Sequence, residues 1–190
     1  MKPKNLTTSL NLPPVDPLPD GIEKYFNACQ NKLGLVPNVL KAHSFNIDKL
    51  NAFTGLYNEL MLANSNLSKL EREMIAVAVS SENHCFYCLV AHGSAVRELS
   101  NDPQLGERIA ANFRSAELPK KQEELLNFTK KLTRDPSEIK ESDRKKLRDV
   151  GYTDRDIWDI SAIIGLFNMT NRLASATEME PNDDYHNISR

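Results

Sequence analysis

Four residues of this 190-residue chain have the types and spacing of a thiol redox site. Cys85 and Cys88 form a C-x-x-C pair, His92 follows the second cysteine at i+4, and Glu73 precedes the pair. If a helix begins at the pair, Cys88 lies in its first turn, where the helix dipole favours a thiolate, and His92 lies on the same face. We therefore expect the pKa of Cys88 to lie below that of a free cysteine.

Two other interpretations of these residues stay open. Cys85, Cys88 and His92 offer three ligands for a metal ion, with His84 or Glu73 as a fourth, but the second ligand pair of a structural zinc site is missing. The thiols can also be inert packing groups. Redox chemistry is favoured, because a C-x-x-C in a reducing compartment is more often redox-active or metal-binding than a structural staple.

Composition excludes several classes of partner. The chain carries 24 basic and 26 acidic residues, a net charge of -2, so no strong field attracts nucleic acid or an anionic membrane. The basic cluster at 144–148 is interleaved with acidic residues, which is typical of a solvated helix face. No apolar run reaches the roughly 20 residues of a membrane span, and residues 1–5 lack the apolar core of a signal peptide. We expect a cytoplasmic protein.

The segment patterns predict an all-α protein of about eight or nine helices. Capping boxes are indicated at Asp20 with Glu23, at Ser68 with Glu71 and at Thr153 with Asp156. Asn46 is a further candidate cap, Pro37 suits a first helical position and Gly34 suits a helix end. The helix after Ser68 is apolar over much of its surface and should be buried, and the next helix should begin at the thiols. Later helices are expected after Asp102-Pro103, Pro119, Ser142 and Thr153.

The two ends of the chain differ in composition from the middle. Five of the ten prolines fall in residues 1–20, which predicts an extended arm that lies on the surface or reaches a neighbouring subunit. Residues 21–178 form the predicted helical domain, and residues 179–190 a polar, loose tail. Cys29 is expected to be a buried apolar thiol. Trp158 and Phe167 should lie in the core or at a subunit interface.

The chain resembles the AhpD-like, peroxidase-related branch of the carboxymuconolactone decarboxylase superfamily. The family signature E-x11-C-x-x-C-x3-H is matched at Glu73, Cys85, Cys88 and His92. The remaining similarity is carried by Leu33-Gly34-Leu35-Val36-Pro37-Asn38, Leu67-Ser68-x-x-Glu71-Arg72-Glu73, Asn83-x-Cys85-x-Tyr87-Cys88 and Asn171-Arg172-Leu173-Ala174.

This resemblance implies an AhpD-like helical bundle, assembled as a trimer or hexamer, that reduces hydroperoxides. It implies that Cys88 attacks the peroxide, that Cys85 supplies a proton and then closes the disulfide, and that His92 and Glu73 relay protons. No cofactor is implied, and the electron donor would be a dithiol or a lipoylated protein. The chemistry agrees with the general reactivity of thiolates, sulfenic acids and imidazole.

One departure from the founding alkylhydroperoxidases is Tyr87, which stands where they have a histidine. A phenol cannot replace an imidazole near neutral pH, so Tyr87 either packs or hydrogen-bonds a substrate. Asn171 and Arg172 are expected to cap a helix or pair with a neighbour, with a role at the mouth of the site as the alternative. A carboxymuconolactone decarboxylase-like enzyme and a non-catalytic helical assembly protein are the competing functions.

Overall fold

The structure is a computed structural model that describes residues 7–190. Residues 1–6, which include the start of the proline-rich arm and the segment tested for a signal peptide, lie outside the described residues. Within residues 7–190 there is no strand, which confirms the predicted all-α class. The described part of the chain contains nine α-helices in this order: α1 Asp20–Leu33, α2 Asn38–His43, α3 Ile47–Tyr57, α4 Lys69–Glu82, α5 Phe86–Ser100, α6 Leu105–Asn112, α7 Lys120–Arg134, α8 Glu141–Asp149 and α9 Asp154–Ala176.

Helix α4 is the central element, and four other helices pack around it: α5, α6, α7 and α9. This confirms its predicted burial. Met74, Ile75 and Val77 are fully buried, because the α4 sequence is apolar on most sides. One apolar cluster joins α4 to α3, α7 and α9, and a second joins it to α5, α6 and α7. A helix held on all sides is a rigid support for any residue it carries toward a site.

Helices α5 and α6 cross at very close range. A Cβ atom on Gly106 of α6 would lie 2.8 Å from the backbone carbonyl oxygen of Gly93 in α5. Only a residue without a side chain allows this approach of two backbones. The contact fixes the outer face of α5, the helix that begins at the two thiols.

Most predicted helix boundaries agree with the structure. Asn46 accepts a hydrogen bond from the Lys49 amide, and Gly34 ends α1 in the left-handed region at φ 75. The capping boxes at Ser68 and at Thr153 are both present. The predicted box at Asp20 is wrong: Asp20 is already helical, and Pro19 before it has no side-chain hydrogen-bonding group to cap the helix. Pro37 likewise precedes α2 rather than beginning it.

The tail is attached to the helices, so the prediction that it is loose is wrong. Asn182 accepts a hydrogen bond from the Asn38 amide at 2.8 Å and donates one to the Val36 carbonyl at 3.0 Å. Further along, the buried Arg97 guanidinium donates to the carbonyls of Tyr185 and Ile188. These bonds join residues far apart in sequence, which is why tail composition did not indicate them.

The described part of the arm, residues 7–19, contains no helix and runs along the helices. The Ser9 amide donates to the Thr177 carbonyl, the Glu180 amide donates to the Thr7 carbonyl, and the Val15 amide donates to the Ser44 carbonyl. The arm and the beginning of the tail are therefore joined to each other beside the C-terminal end of α9.

Three side chains lie elsewhere than expected. Trp158 is 75% exposed, so of its two expected positions the core is wrong and the subunit interface stays a prediction, whereas Phe167 of the same helix is in the core. Cys29 is only half-buried. His43, for which the sequence indicated no partner, stacks on the Phe53 ring. Within residues 7–190, every helix is too short or too polar to span a bilayer.

Candidate active site

The turn between α4 and α5 places both thiols at the beginning of α5. His84 adopts a left-handed conformation at φ 53, and the Cys85 amide donates to the Ser80 carbonyl in the last turns of α4. Cys85 is the residue immediately before α5, and Cys88 lies in its first turn. The two helices thus form a tight hairpin with the sulfur atoms at its closed end.

Both cysteines are free thiols and are almost fully buried, with 1% of Cys85 and 3% of Cys88 exposed. Their side chains hydrogen-bond each other, so the pair can share one proton between two sulfur atoms. An anion at one sulfur is stabilised by the S–H group of the other. The C-x-x-C spacing therefore produces a coupled dithiol.

The more acidic thiol of the pair is Cys85. The hydrogen bond from Cys88 lowers the pKa of Cys85 to about 6 against the opposing effect of burial. The backbone N–H of Cys88, the Ser175 hydroxyl and the charge of His92 lower it further. The Cys88 N–H belongs to the first turn of α5, where backbone N–H groups have no intrahelical acceptor.

The pKa of Cys88 is raised, so the predicted lowering of its pKa is wrong for the dithiol state. The hydrogen bond to Cys85 is the largest cause, because Cys88 keeps the shared proton, and burial adds to it. Hydrogen bonds to the Ser80 and Thr170 hydroxyls act in the opposite direction. The Thr170 hydroxyl is suited to hold a Cys88 thiolate once its proton has left, whereas the Ser80 hydroxyl already donates its proton to the Ala76 carbonyl at 2.6 Å.

His92 and Glu73 form a close pair beside the thiols. The Nδ1 atom of His92 lies 2.6 Å from Oε2 of Glu73, and each side chain is 12% exposed. The ring of His92 also meets the Phe167 ring edge-on at a centroid distance of 4.6 Å. Since Glu73 engages Nδ1, the tautomer and ring orientation are fixed and Nε2 is left for proton transfer.

Tyr87 has a structural contact. Its phenolic oxygen accepts a hydrogen bond from the Val39 amide at 3.0 Å, and burial raises its pKa well above the ordinary value. The Val39 amide belongs to the first turn of α2, where no intrahelical acceptor exists. Of the two predicted roles for Tyr87, this contact supports packing: it fastens α2 over the thiols.

An apolar cover closes the site. Met179 and Ala174 are buried against Cys85, Tyr87 and Cys88, and side chains from α2 pack onto the same cluster. The bonds of Asn182 to Asn38 and Val36 join this part of the tail to the beginning of α2. A molecule that reaches the sulfur atoms must therefore displace or pass an apolar layer.

The metal interpretation gains no support from the geometry. Among residues 7–190, no three His, Cys, Asp or Glu side chains are grouped as metal ligands. His84, the suggested fourth ligand, is exposed at the turn, and His92 is engaged by Glu73.

The sequence did not indicate Ser80, Thr170 and Ser175 as site residues. They come from α4 and α9 and contact the thiols through their hydroxyls. Asn171, which was expected to cap a helix or to shape the mouth of the site, is instead fully buried and donates to the Ser80 hydroxyl. Arg172 lies outside and binds Asn168.

The fold and the site define an all-α protein with a dithiol at the beginning of a helix and a histidine–carboxylate pair beside it. Residues 48–127 match the family described as Carboxymuconolactone decarboxylase family. The crystal structure of an uncharacterized peroxidase-related protein from Silicibacter sp. TM1040 is 62% identical, with a TM-score of 0.96, and the match covers 100% of this chain and 99% of that one. The chain belongs to the peroxidase-related proteins of the carboxymuconolactone decarboxylase family.

Two further solved structures have the same fold. A peroxidase-related protein from Ralstonia eutropha JMP134, described as an alkylhydroperoxidase AhpD core, is 38% identical, with a TM-score of 0.93 and 97% of both chains covered. The debrominase Bmp8, in complex with 2,3,4-tribromopyrrole, is 18% identical, with a TM-score of 0.79 and coverage of 94% of this chain and 95% of that one. No curated protein matches the chain.

Proposed function

We propose that this protein is a thiol-dependent peroxidase that reduces hydroperoxides through a Cys85–Cys88 disulfide. The observation that carries the proposal is the buried, hydrogen-bonded dithiol at the N-terminus of α5, in which the pKa of Cys85 is lowered to about 6. Such a pair holds one negative charge near neutral pH and has a second thiol ready to close a disulfide.

The first step moves a proton within the pair. The Cys85 thiolate accepts the S–H proton of Cys88, and the Thr170 hydroxyl, whose bond to the Phe167 carbonyl is long at 3.3 Å, can donate to the Cys88 thiolate that results. Cys88 then attacks the terminal oxygen of the hydroperoxide, the O–O bond breaks, and a sulfenic acid forms on Cys88. The leaving alkoxide takes the proton from the Cys85 thiol and departs as an alcohol.

The second step closes the disulfide. The Cys85 thiolate attacks the sulfur of the Cys88 sulfenic acid, which expels hydroxide. The His92–Glu73 pair supplies the proton that converts hydroxide to water, since the Nδ1 atom of His92 is held by the carboxylate at 2.6 Å and its other ring nitrogen is left for proton transfer. One hydroperoxide thus consumes two thiols and yields one alcohol, one water and one disulfide.

A dithiol must reduce the disulfide for a further cycle. The proposed donor is a small dithiol or the lipoyl group of a lipoylated protein, and the apolar cover of Met179 and Ala174 supports a donor with a narrow apolar arm. This electron donor acts by thiol–disulfide exchange. A reducing, cytoplasmic compartment would maintain the dithiol state.

A homo-oligomer, as a trimer or a hexamer, is part of the proposal. The exposed side of α9 carries Trp158, Met169 and Leu173, which are 75%, 51% and 39% exposed. These residues follow one another at helical spacing, with Ala162 and Gly165 between them. An apolar stripe with small residues at its centre is suited to pack against a second copy of the chain.

A peroxide assay coupled to a dithiol reductant tests the proposed function. The wild type should consume hydrogen peroxide and an organic hydroperoxide when lipoamide or another dithiol is present. Cys88→Ser should abolish consumption, and Cys85→Ser should leave a sulfenic acid on Cys88 that dimedone traps. Cys29→Ser is the matched control, because Cys29 is the third thiol, lies outside the site and has a pKa raised by burial.

Retained peroxide consumption in Cys88→Ser would overturn the assignment of the attacking thiol. Thiols that alkylate with the pH dependence of free cysteine would favour a non-catalytic assembly protein instead. Turnover of a carboxymuconolactone by a Cys85→Ser/Cys88→Ser double variant would replace the peroxidase by a decarboxylase.

A further inference from the structure

Arg97 of α5 is a buried cation without an acidic partner. The residue is only 4% exposed. Its Nε atom donates to the Ile188 carbonyl at 3.0 Å and its Nη2 atom donates to the Tyr185 carbonyl at 2.8 Å, but it forms no ion pair within residues 7–190. Because a buried charge is stabilised best by an opposite charge, this guanidinium is suited to an anion that comes from outside the chain.

The Nη1 atom of Arg97 is accessible from outside. It makes no hydrogen bond to residues 7–190, and the one enclosed side-chain atom without a partner in that range is Oδ1 of Asn171, so Nη1 is not enclosed. A Cβ atom on Gly93 would lie 3.9 Å from Nη1 and, apart from the backbone of its own helix, would meet nothing else within 4 Å. Open space therefore lies beside Nη1, where Gly93 has no side chain.

Arg97 and Gly93 line a groove of about 230 Å³ between α5, α6 and the tail, which we call the Arg97 groove. Its apolar lining includes Phe86, Leu89, Val90 and Ala110. None of the residues that cover the thiols lines this groove, so it is separate from the dithiol site.

The Arg97 groove has an apolar end and a cationic end. Phe86, Val90 and Gly93 follow one another at helical spacing on one face of α5, and Phe86 precedes Gly93 by about 10 Å along the helix axis. The Phe86 residue is 60% exposed and supplies the apolar end. The Arg97 side chain leans toward the N-terminus of its helix, as helical side chains do, and brings its charge to the level of Gly93.

The charges around the groove favour a ligand with a single negative charge. Arg190 and Glu107 also line it and pair with each other at 2.8 Å, which leaves the charge of Arg97 uncompensated. Glu107 disfavours a dianion such as phosphate through like-charge repulsion. A guanidinium group matches the planar geometry of a carboxylate.

We propose that the Arg97 groove binds a small organic acid, with its carboxylate on Nη1 of Arg97 and its apolar chain along Val90 toward Phe86. The volume of about 230 Å³ equals roughly eight water volumes of about 30 Å³ each, so a ligand of about eight non-hydrogen atoms fits. Hexanoate has this size, one negative charge and an unbranched apolar chain. The site does not depend on the proposed peroxidase function.

The test compares hexanoate with hexanamide, which has the same size and shape but no charge. Ligand-observed NMR on the full chain gives both dissociation constants. Arg97→Gln removes the cation, and Arg172→Gln is the matched control, because Arg172 is an exposed arginine that also donates to a carbonyl, that of Asn168, and lies outside the groove.

We expect hexanoate to bind the wild type with a Kd of about 1 mM, which is ordinary for so few atoms, and hexanamide at least about tenfold more weakly. Arg97→Gln should weaken hexanoate binding at least about tenfold, the effect of losing one charge-assisted hydrogen bond, and should leave hexanamide binding within about twofold. Glu107→Gln should strengthen hexanoate binding about two- to threefold, because it removes a repelling charge and releases Arg190. Arg172→Gln should change neither ligand.

Gly93→Ala tests the groove while it keeps Arg97. The added methyl group would occupy the open space beside Nη1, so hexanoate binding should weaken about fivefold or more. The melting temperature should be equal or higher, because alanine favours a helix more than glycine does. Gly55→Ala is the matched control, since Gly55 also lies within a helix, has open space around it and does not line the groove.

Equal binding of hexanoate and hexanamide by the wild type, or no binding of either, would overturn the inference, whatever else covers the groove. Unchanged hexanoate affinity in Arg97→Gln, or an equal loss in Arg172→Gln, would also overturn it. If Arg97→Gln does not fold, Gly93→Ala decides, and hexanoate affinity as high with alanine as with glycine would reject the site.

Discussion

Removal of the Cys88 thiol should raise the pKa of Cys85. The Cys88 hydrogen bond is the largest of the causes that bring the pKa of Cys85 to about 6. Cys88→Ala deletes this donor but keeps the Ser175 hydroxyl and the backbone N–H groups of α5. The pKa of Cys85 in this variant should move toward that of an ordinary thiol, because its burial then has less opposition. Cys88→Ser, whose hydroxyl still donates, should give an intermediate value.

The size of the effect follows from the two pKa values. With the pKa of Cys85 at about 6, about nine-tenths of the protein holds a Cys85 thiolate at pH 7. An ordinary cysteine with a pKa of about 8.5 is only about 3% ionised there. We therefore expect a loss of thiolate of up to about 30-fold in Cys88→Ala near neutral pH.

The same shift links stability to pH. The pKa of Cys85 is lower in the folded state, so its contribution is present in full above about pH 8.5 and is lost as the pH falls through about 6. The difference of about 2.5 pH units between the pKa of Cys85 in the folded and unfolded states corresponds to at most about 3 kcal/mol in the free energy of unfolding. The pKa of Cys88 is raised, and its effect has the opposite sign. The unfolded chain ionises both thiols above about pH 8.5, so stability should fall again there.

Ultraviolet absorbance of the thiolate measures the ionisation directly. The titration should be carried out with Cys29→Ser in every protein, so that only the paired thiols absorb as thiolates. Protein that keeps both Cys85 and Cys88 should form one thiolate per chain, with a midpoint near pH 6. Cys85→Ala should remove that transition. Urea unfolding of the reduced protein at about pH 6 and pH 8 gives the accompanying change in stability.

Two results would refute this reasoning. A first thiolate that appears only above about pH 8 in the protein with both thiols would show that the hydrogen bond does not stabilise the anion. A transition near pH 6 that survives in Cys85→Ala would place the anion on Cys88 and reverse the assignment of the acidic thiol.

Three further predictions concern the relay, the packing and the assembly. Glu73→Gln keeps an acceptor for Nδ1 of His92 but removes the charge, so turnover should fall about 10- to 100-fold while dimedone trapping of the sulfenic acid in a Cys85→Ser background changes little. Gly106→Ala should lose about 1–3 kcal/mol in urea unfolding, because its Cβ would meet a backbone carbonyl at 2.8 Å, whereas Gly55→Ala, with open space around it, should not. Light scattering of the wild type at micromolar concentration should show an oligomer, and Trp158→Glu should reduce its mass; a wild-type monomer would contradict the proposed assembly.

The helix boundaries could be predicted because their signals are local. The capping boxes at Ser68 and Thr153, the cap at Asn46 and the left-handed end at Gly34 each depend on a few neighbouring residues. Asp20 and Glu23 also have the residue types of a capping box, but the prediction is wrong there, because Asp20 is the first residue of α1 and not the cap residue before it. Residue types that suit a cap therefore do not determine at which residue the helix begins.

The candidate site was predictable only in part. The helical period places Cys88 and His92 on one face, but the contact between His92 and Glu73 joins two helices and was implied by the family resemblance alone. Ser80 and Thr170 are ordinary polar residues within helices, and no spacing rule relates them to a cysteine in another helix. Their role depends on how α4 and α9 pack against α5.

The pKa of Cys85 is lowered and the pKa of Cys88 is raised, whereas the spacing of the residues predicted the thiolate on Cys88. The helix dipole was expected to favour a Cys88 thiolate because Cys88 lies in the first turn, but the hydrogen bond that Cys88 gives to Cys85 is the largest cause of the lowered pKa of Cys85, and the Cys88 N–H adds to it. The pair therefore holds its negative charge on Cys85, the thiol that closes the disulfide in the proposed mechanism. Cys88 becomes a thiolate only when its proton moves to Cys85. In the proposed mechanism, Cys85 acts first as a base toward Cys88 and then as an acid toward the alkoxide, so it performs both proton transfers of the oxidation step. His92 and Glu73 then serve disulfide closure and reduction in that mechanism.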